Sequence, residues 1–223
     1  MNFNKTIKCI VLYVFSLVFG FANAGSYEDF FTATHRDEVK VVSSLLSRGF
    51  DPNTVNLNGV PAILHALIQD SMQTFEVLAK HPKINVNVRN PHGESPLMLV
   101  CLKGDLRLAK LLVNRQADIN HPGWTPLHYA ATGGHVPIIQ MLLEESAYID
   151  AESPNGTTPL MMAARYGNGQ AVQLLIDEGA DIHHRNQLGL SALDFATQAA
   201  RPDAIKIIKD ALDKDVPKNG SSK

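Results

Sequence analysis

The feature that most limits how this chain can fold is a recurrence of glycine. A Gly followed four residues later by an aliphatic side chain occurs at Gly59/Ile63, Gly93/Leu97, Gly123/Leu127, Gly156/Leu160 and Gly189/Leu193, at steps of 34, 30, 33 and 33 residues. Eleven residues after each Gly stands a turn position, filled in order by Asp70, Gly104, Gly134, Gly167 and Ala200. An aliphatic block follows in most copies: Leu111-Leu112-Val113, Met141-Leu142-Leu143, Leu174-Leu175-Ile176 and Ile207-Ile208. A fourth column runs through Phe50-Asp51, Ile84-Asn85, Ala117-Asp118, Ala147-Tyr148 and Ala180-Asp181. Columns in phase at this period mean stacked units, each too small to bury its own apolar face and therefore obliged to pack on its neighbours.

One period can be read from residues 121–150. Pro126 suits the first turn of a helix, where its missing N–H is no loss. Leu127 to Ala131 then form a short helix with small residues for close stacking, and Gly133-Gly134 end it. A second, amphipathic helix runs from about Pro137 to Glu145, with Ile138, Ile139, Met141, Leu142 and Leu143 inward. Turn formers such as Asn155-Gly156 follow and suit a tight hairpin. The expected unit is helix, turn, helix, hairpin.

Gly123-Trp-Thr-Pro-Leu-His-Tyr-Ala-Ala131 with Gly134-His135, Gly156-Thr-Thr-Pro-Leu160 and Gly179-Ala-Asp-Ile182 resemble the ankyrin repeat family. The resemblance runs from residue 27 to about 213 and implies an all-α solenoid of five to six repeats with projecting β-hairpin loops. Other copies depart from the Thr-Pro-Leu-His box at its last position, with Leu64, Met98, Met161 and Asp194. The first copy, 27–57, keeps only the second-helix pattern Val41 to Leu46 and looks like an N-terminal cap. Lys209 in an aliphatic column marks a C-terminal cap facing water. Within this frame the domain is 25–213, and 214–223 is a disordered polar tail.

Residues 1–24 lie outside the repeat. Lys5 and Lys8 precede an apolar run from Cys9 to Phe21, and Ala22-Asn23-Ala24 is a small-x-small cleavage pattern, so 1–24 reads as a cleaved signal peptide. The run is shorter than the roughly 20 residues that a membrane-spanning helix needs. Cleavage leaves 199 residues and, with Lys5 and Lys8 gone, changes the formal net charge from −2 to −4. Cys101 is then the one thiol, set in the apolar run Leu97 to Leu102 and read as buried and inert. The balance of 45% hydrophobic and 19% charged side chains excludes a disordered chain, and the absence of a Lys/Arg stripe argues against a nucleic-acid partner.

No local motif for catalysis or a cofactor is present: there is no Gly-x-Ser-x-Gly, His-Glu-x-x-His, phosphate loop or Gly-x-Gly-x-x-Gly. The His183-His184 pair lacks Cys or acidic ligands at useful spacing, so no metal is expected. His128 and His135 are family positions whose implied work is hydrogen bonding within and between repeats. The expectation is a chain without enzyme activity; a dispersed hydrolase site is the weaker alternative.

In the ankyrin family partners bind a concave groove formed by the loop tips and first helices. Carried over residue by residue, the resemblance implies partner contacts at His92, Glu94, Lys103, His121, Trp124, Arg165 and Tyr166. Trp124 is the sole Trp, and Trp, Tyr and Arg are the types enriched at interface hot spots. Packing as filler under the next hairpin is the other reading of Trp124, and an internal ion pair that of Arg165. The step of 30 shortens one hairpin, which is expected to leave a notch beside Trp124. The function expected is a monomeric protein-binding scaffold in a bacterial periplasm, acting on a toxin as an immunity protein or on a stress or redox enzyme. The alternative is a secreted effector acting on host proteins.

Overall fold

A computed structural model describes residues 25–215, so the signal-like segment 1–24 and residues 216–223 of the tail lie outside the described residues. The described residues are helical. They form two compact units: 25–85 with 89–92, and 86–88 with 93–215.

The first unit contains α1 (25–35), α2 (Val39–Ser47), α3 (Ala62–Ile68) and α4 (Met72–Lys80). The first copy therefore has a first helix after all, although it lacks the Thr-Pro-Leu-His box. Phe30 on α1 is fully buried and its ring stacks on Phe50 at 4.3 Å. Val42, Leu45, Ile63, Leu64, Leu67, Phe75 and Leu78 complete this core.

The second unit contains α5 (Pro96–Lys103), α6 (Leu106–Asn114), α7 (Pro126–Gly133), α8 (Val136–Glu144), α9 (Pro159–Tyr166), α10 (Gly169–Asp177), α11 (Ala192–Gln198) and α12 (Pro202–Asp215). First helices α5, α7, α9 and α11 pack in one row, and α6, α8, α10 and α12 in a second row behind them. Leu97, Leu108, Leu112, Leu127, Ile138, Leu142, Leu160, Leu175 and Ile208 are buried between the rows. Helix starts follow their caps. Pro opens α5, α7 and α9; Asp105 and Asn168 each accept a backbone N–H at 2.9 Å to start α6 and α10. No described helix is long and apolar enough to cross a membrane.

Two expectations need correction. The tail was placed from residue 214, but α12 continues to Asp215. There His183 Nε2 donates to Asp215 at 2.8 Å, so the last turn has a partner in the preceding loop. The hairpins are also shorter than hairpin ladders: among the described residues there is no strand, and one isolated bridge joins Val55 to Pro61. Each regular finger closes on a pair of backbone bonds at its tip: Asn56 N–H to Val60 O (2.8 Å) with Gly59 N–H to Asn56 O (2.9 Å), Ser153 N–H to Thr157 O (3.0 Å) with Gly156 N–H to Ser153 O (2.8 Å), and Asn186 N–H to Leu190 O (3.0 Å) with Gly189 N–H to Asn186 O (2.8 Å).

The turn column is left-handed at Asp70 (φ 59°), Gly104 (84°), Gly134 (67°) and Ala200 (52°). Gly167 is the exception, with φ −75°. It is required for space: a Cβ there would lie 2.4 Å from the Ala131 carbonyl oxygen. Gly167→Ala should therefore lower stability by roughly 1–3 kcal/mol through overpacking, whereas Ala200→Gly, which relieves a left-handed alanine, should raise it by up to about 1 kcal/mol. Urea unfolding followed by circular dichroism measures both, and equal effects of the two changes would contradict this account.

Candidate partner-binding site

Three first helices place equivalent residues along one face. Tyr129, Met162 and Phe195 each lie six residues after a finger glycine; Thr132, Arg165 and Gln198 lie nine after. Between α5, α7 and α9 this face holds an open pocket of about 230 Å³ lined by Leu102, Trp124, His128, Tyr129, Thr132 and Met162. Leu102 is 40% exposed and Trp124 37%. The indole stands edge-on to the His128 ring, with centroids 5.2 Å apart and planes at 73°. Trp124 is thus a wall of the pocket: one side packs inward and the other meets solvent.

His128 is fixed in one tautomer by its neighbours. The Thr125 backbone N–H donates to Nδ1 at 3.1 Å, so Nε2 carries the proton and donates to the Thr157 carbonyl at 2.9 Å. Burial holds this imidazole down to about 4, against a smaller upward pull from the Thr157 and Ala151 carbonyls. The pocket therefore has a neutral floor. Thr132 turns its hydroxyl away to the His128 carbonyl at 2.8 Å and leaves its methyl for the cavity. At one rim the Tyr129 hydroxyl donates to Glu94 Oε1 at 3.0 Å.

The residues singled out in the sequence are placed as follows. Trp124 lines the pocket, and Glu94 reaches its rim through Tyr129. Arg165 lies over Tyr166 at 5.3 Å and Phe195 at 5.7 Å, beside Met162 on the same helix. Tyr166 is 54% exposed. Lys103 is exposed at the end of α5, next to Leu102, and His121 is exposed in the short finger. His92 is an exposed fingertip residue of the first unit and is not among the residues that line this pocket. Tyr129 and Met162 were missed as site residues, although their common offset from the finger glycine could have revealed them. His183 and His184 diverge: the first donates to Asp215 and the second to the Gly156 carbonyl at 3.0 Å. Among the described residues no group of three or more His, Cys, Asp or Glu is placed to hold a metal ion. Cys101 is fully buried, and burial pushes its thiol up.

The family model described as ankyrin repeats matches in three copies, over residues 30–122, 82–153 and 146–219. The chain belongs to the ankyrin repeat family. A rat ankyrin repeat and SAM domain-containing protein is 36% identical over 126 residues, which is 55% of this chain and 14% of that relative; the chain thus spans a small part of the relative it matches. The human ASB11 ankyrin repeat domain superposes with a TM-score of 0.71 at 24% identity, covering 82% of each chain. A chain from a complex of a Bdellovibrio bacteriovorus predatory endopeptidase with an immunity protein superposes with a TM-score of 0.70 at 23% identity, covering 82% of this chain and 97% of that one. Ankyrin repeats mediate protein–protein interaction. In this ankyrin domain the pocket and Tyr166 lie on the first-helix face of the second unit.

The depressed His128 sets a pH dependence. Unfolding restores a value near 6.5, so between 6.5 and about 4 the unfolded chain holds a proton that the folded one refuses. Stability is complete above that window and falls as pH drops through it, by on the order of 3 kcal/mol at about 1.4 kcal/mol per pH unit. Urea midpoints at pH 7 and 4.5 should show the loss, and His128→Gln, though less stable at pH 7, should show a flatter profile. An unchanged profile in the variant would remove His128 as the cause.

Proposed function

We propose that this chain is an exported, non-catalytic ankyrin scaffold that acts as a monomer in a bacterial periplasm and binds a protein through the Trp124 pocket and the neighbouring Tyr166. The carrying observation is the pocket itself: an open, apolar, preformed cavity with two half-exposed aromatic residues beside it. Rigid stacking beneath it lowers the ordering cost of association. The titratable groups around it support binding over chemistry. His128 is neutral with both ring nitrogens in backbone bonds, Glu94 holds Tyr129, and Cys101 is buried.

Export is the reading of the basic, apolar and small-residue succession in 1–24, and it fits a chain that would retain a single thiol. The proposed partner is an exported enzyme that the scaffold neutralises or assists. The shared fold with a chain from an endopeptidase–immunity protein complex lends this class of partner support.

Two measurements test the proposal. N-terminal sequencing of the protein expressed in a Gram-negative host should find a chain starting at Gly25; an uncleaved Met1 would remove the export reading. Residues 25–223, immobilised, should capture a specific partner from periplasmic extract, and Trp124→Ala and Tyr166→Ala should each weaken capture by roughly 30-fold, as a hot-spot truncation of about 2 kcal/mol implies, and by more when combined. A double variant that keeps its circular dichroism and captures the same partner equally well would rule this face out.

A further inference from the structure

The chemistry of the partner segment can be taken further, on the basis of the binding reading above. Met162 and Arg165 are three residues apart on α9, so their side chains are neighbours on one helix face, with Cβ atoms roughly 5–6 Å apart. The Arg165 guanidinium lies 5.3 Å from the Tyr166 ring centre and 5.7 Å from that of Phe195, and its Nη1 donates to Gln198 Oε1 at 3.3 Å. All three partners are neutral, and among the described residues no carboxylate pairs with this guanidinium. Two rings and an amide thus hold a full positive charge in place without cancelling it. A guanidinium has five N–H donors in a planar fork, and one bond to Gln198 leaves the fork able to take a carboxylate. Holding it beforehand reduces the side-chain entropy lost when a ligand arrives.

The surroundings give the site a direction. Arg201 donates to the carbonyls of Arg165 and Gly167 and is itself paired with Asp203 at 3.9 Å, so the charge left uncancelled on this side is that of Arg165. On the Tyr129 side the pocket rim carries a carboxylate, Glu94, whose Oε1 accepts from the Tyr129 hydroxyl at 3.0 Å. We infer that the partner segment carries a bulky apolar side chain for the Trp124 pocket and, next to it, a carboxylate for Arg165. The apolar contact supplies area, and the carboxylate fixes which way the segment lies.

The sole Trp makes occupancy directly readable, because peptides containing Phe but no Trp are dark when the indole is excited. The probes are capped peptides in which Phe and Asp are separated by no, one or two Gly, with matched Asn and Lys series, titrated into residues 25–223 while Trp124 emission is followed. At one spacing or more, the Asp peptide should bind at least threefold more tightly than its Asn counterpart, with Lys weakest. Arg165→Gln should erase the Asp advantage while leaving Asn binding in place, Arg165→Lys should keep part of it, and a rise from 50 to 500 mM NaCl should narrow it. Equal Asp and Asn affinities, persistence of the preference in Arg165→Gln, or no saturable change would overturn the inference. Tightest binding by the Lys series would also overturn it and would assign the charge readout to Glu94. If capture of a periplasmic partner depends on Trp124 yet the Asp series has no advantage, the binding face stands and the acidic assignment falls; loss of Trp124 dependence instead removes the binding face itself.

Discussion

The structure depends on how the backbone between helices is satisfied without a sheet. A loop segment whose N–H and C=O groups have no strand partner must find bonds elsewhere or stay hydrated. Here the preceding repeat supplies them. Asn53 accepts from the Asn85 N–H at 2.8 Å and donates to the Lys83 carbonyl at 2.9 Å. Asn87 does the same for Asp118 N–H (2.8 Å) and the Gln116 carbonyl (3.2 Å), and Asn120 for Tyr148 N–H (2.9 Å) and the Ser146 carbonyl (2.9 Å). One carboxamide thus holds two backbone groups of the next repeat, in each case just where its second helix ends. Asp150 keeps the accepting half, from Asp181 N–H at 3.0 Å, and has no hydrogen to donate. At that step the finger tips contribute instead: Gln187 donates to Asn155 O and Pro154 O, and His184 to Gly156 O.

Satisfied in this way, the fingers are fixed enough to hold a side chain such as Trp124 in one orientation. The same economy determines what the pocket can do. Its polar atoms are turned outward or bonded to backbone: the Thr132 hydroxyl to a helix carbonyl, the Tyr129 hydroxyl to Glu94, both His128 nitrogens to main chain. What faces the cavity is carbon, sulfur and aromatic surface. Such a pocket gains from taking up an apolar group.

Much of the fold was legible because the stack imposes its period on residue type. The finger glycines, the aliphatic four residues on and the left-handed turn column occupy positions where one kind of side chain or backbone is required, and they repeat in phase. What was not legible lies where tertiary packing overrides local pattern. Helix α1 lacks the Thr-Pro box yet forms, because Phe30 is buried against Phe50. Helix α12 runs past Asp213 into a segment of polar composition, ending at a residue paired with His183. The hairpin expectation came from Asn-Gly turn chemistry, which specifies the reversal but not how many rungs follow it. In the site, Trp124 and Arg165 stood out as residue types. Tyr129 and Met162 did not, because aromatic and thioether side chains on a first helix look like core until the stacking geometry shows which side is open.

The burial of Cys101 has a consequence for the lifetime of the fold. The thiol sits on α5, the first member of the first-helix row of the second unit, with no solvent access. A disulfide exchange partner or alkylating reagent reaches it only when α5 separates from its neighbours. Capture of that sulfur is therefore a clock for the opening of the helix row, one that runs during synthesis and stops once the row has closed.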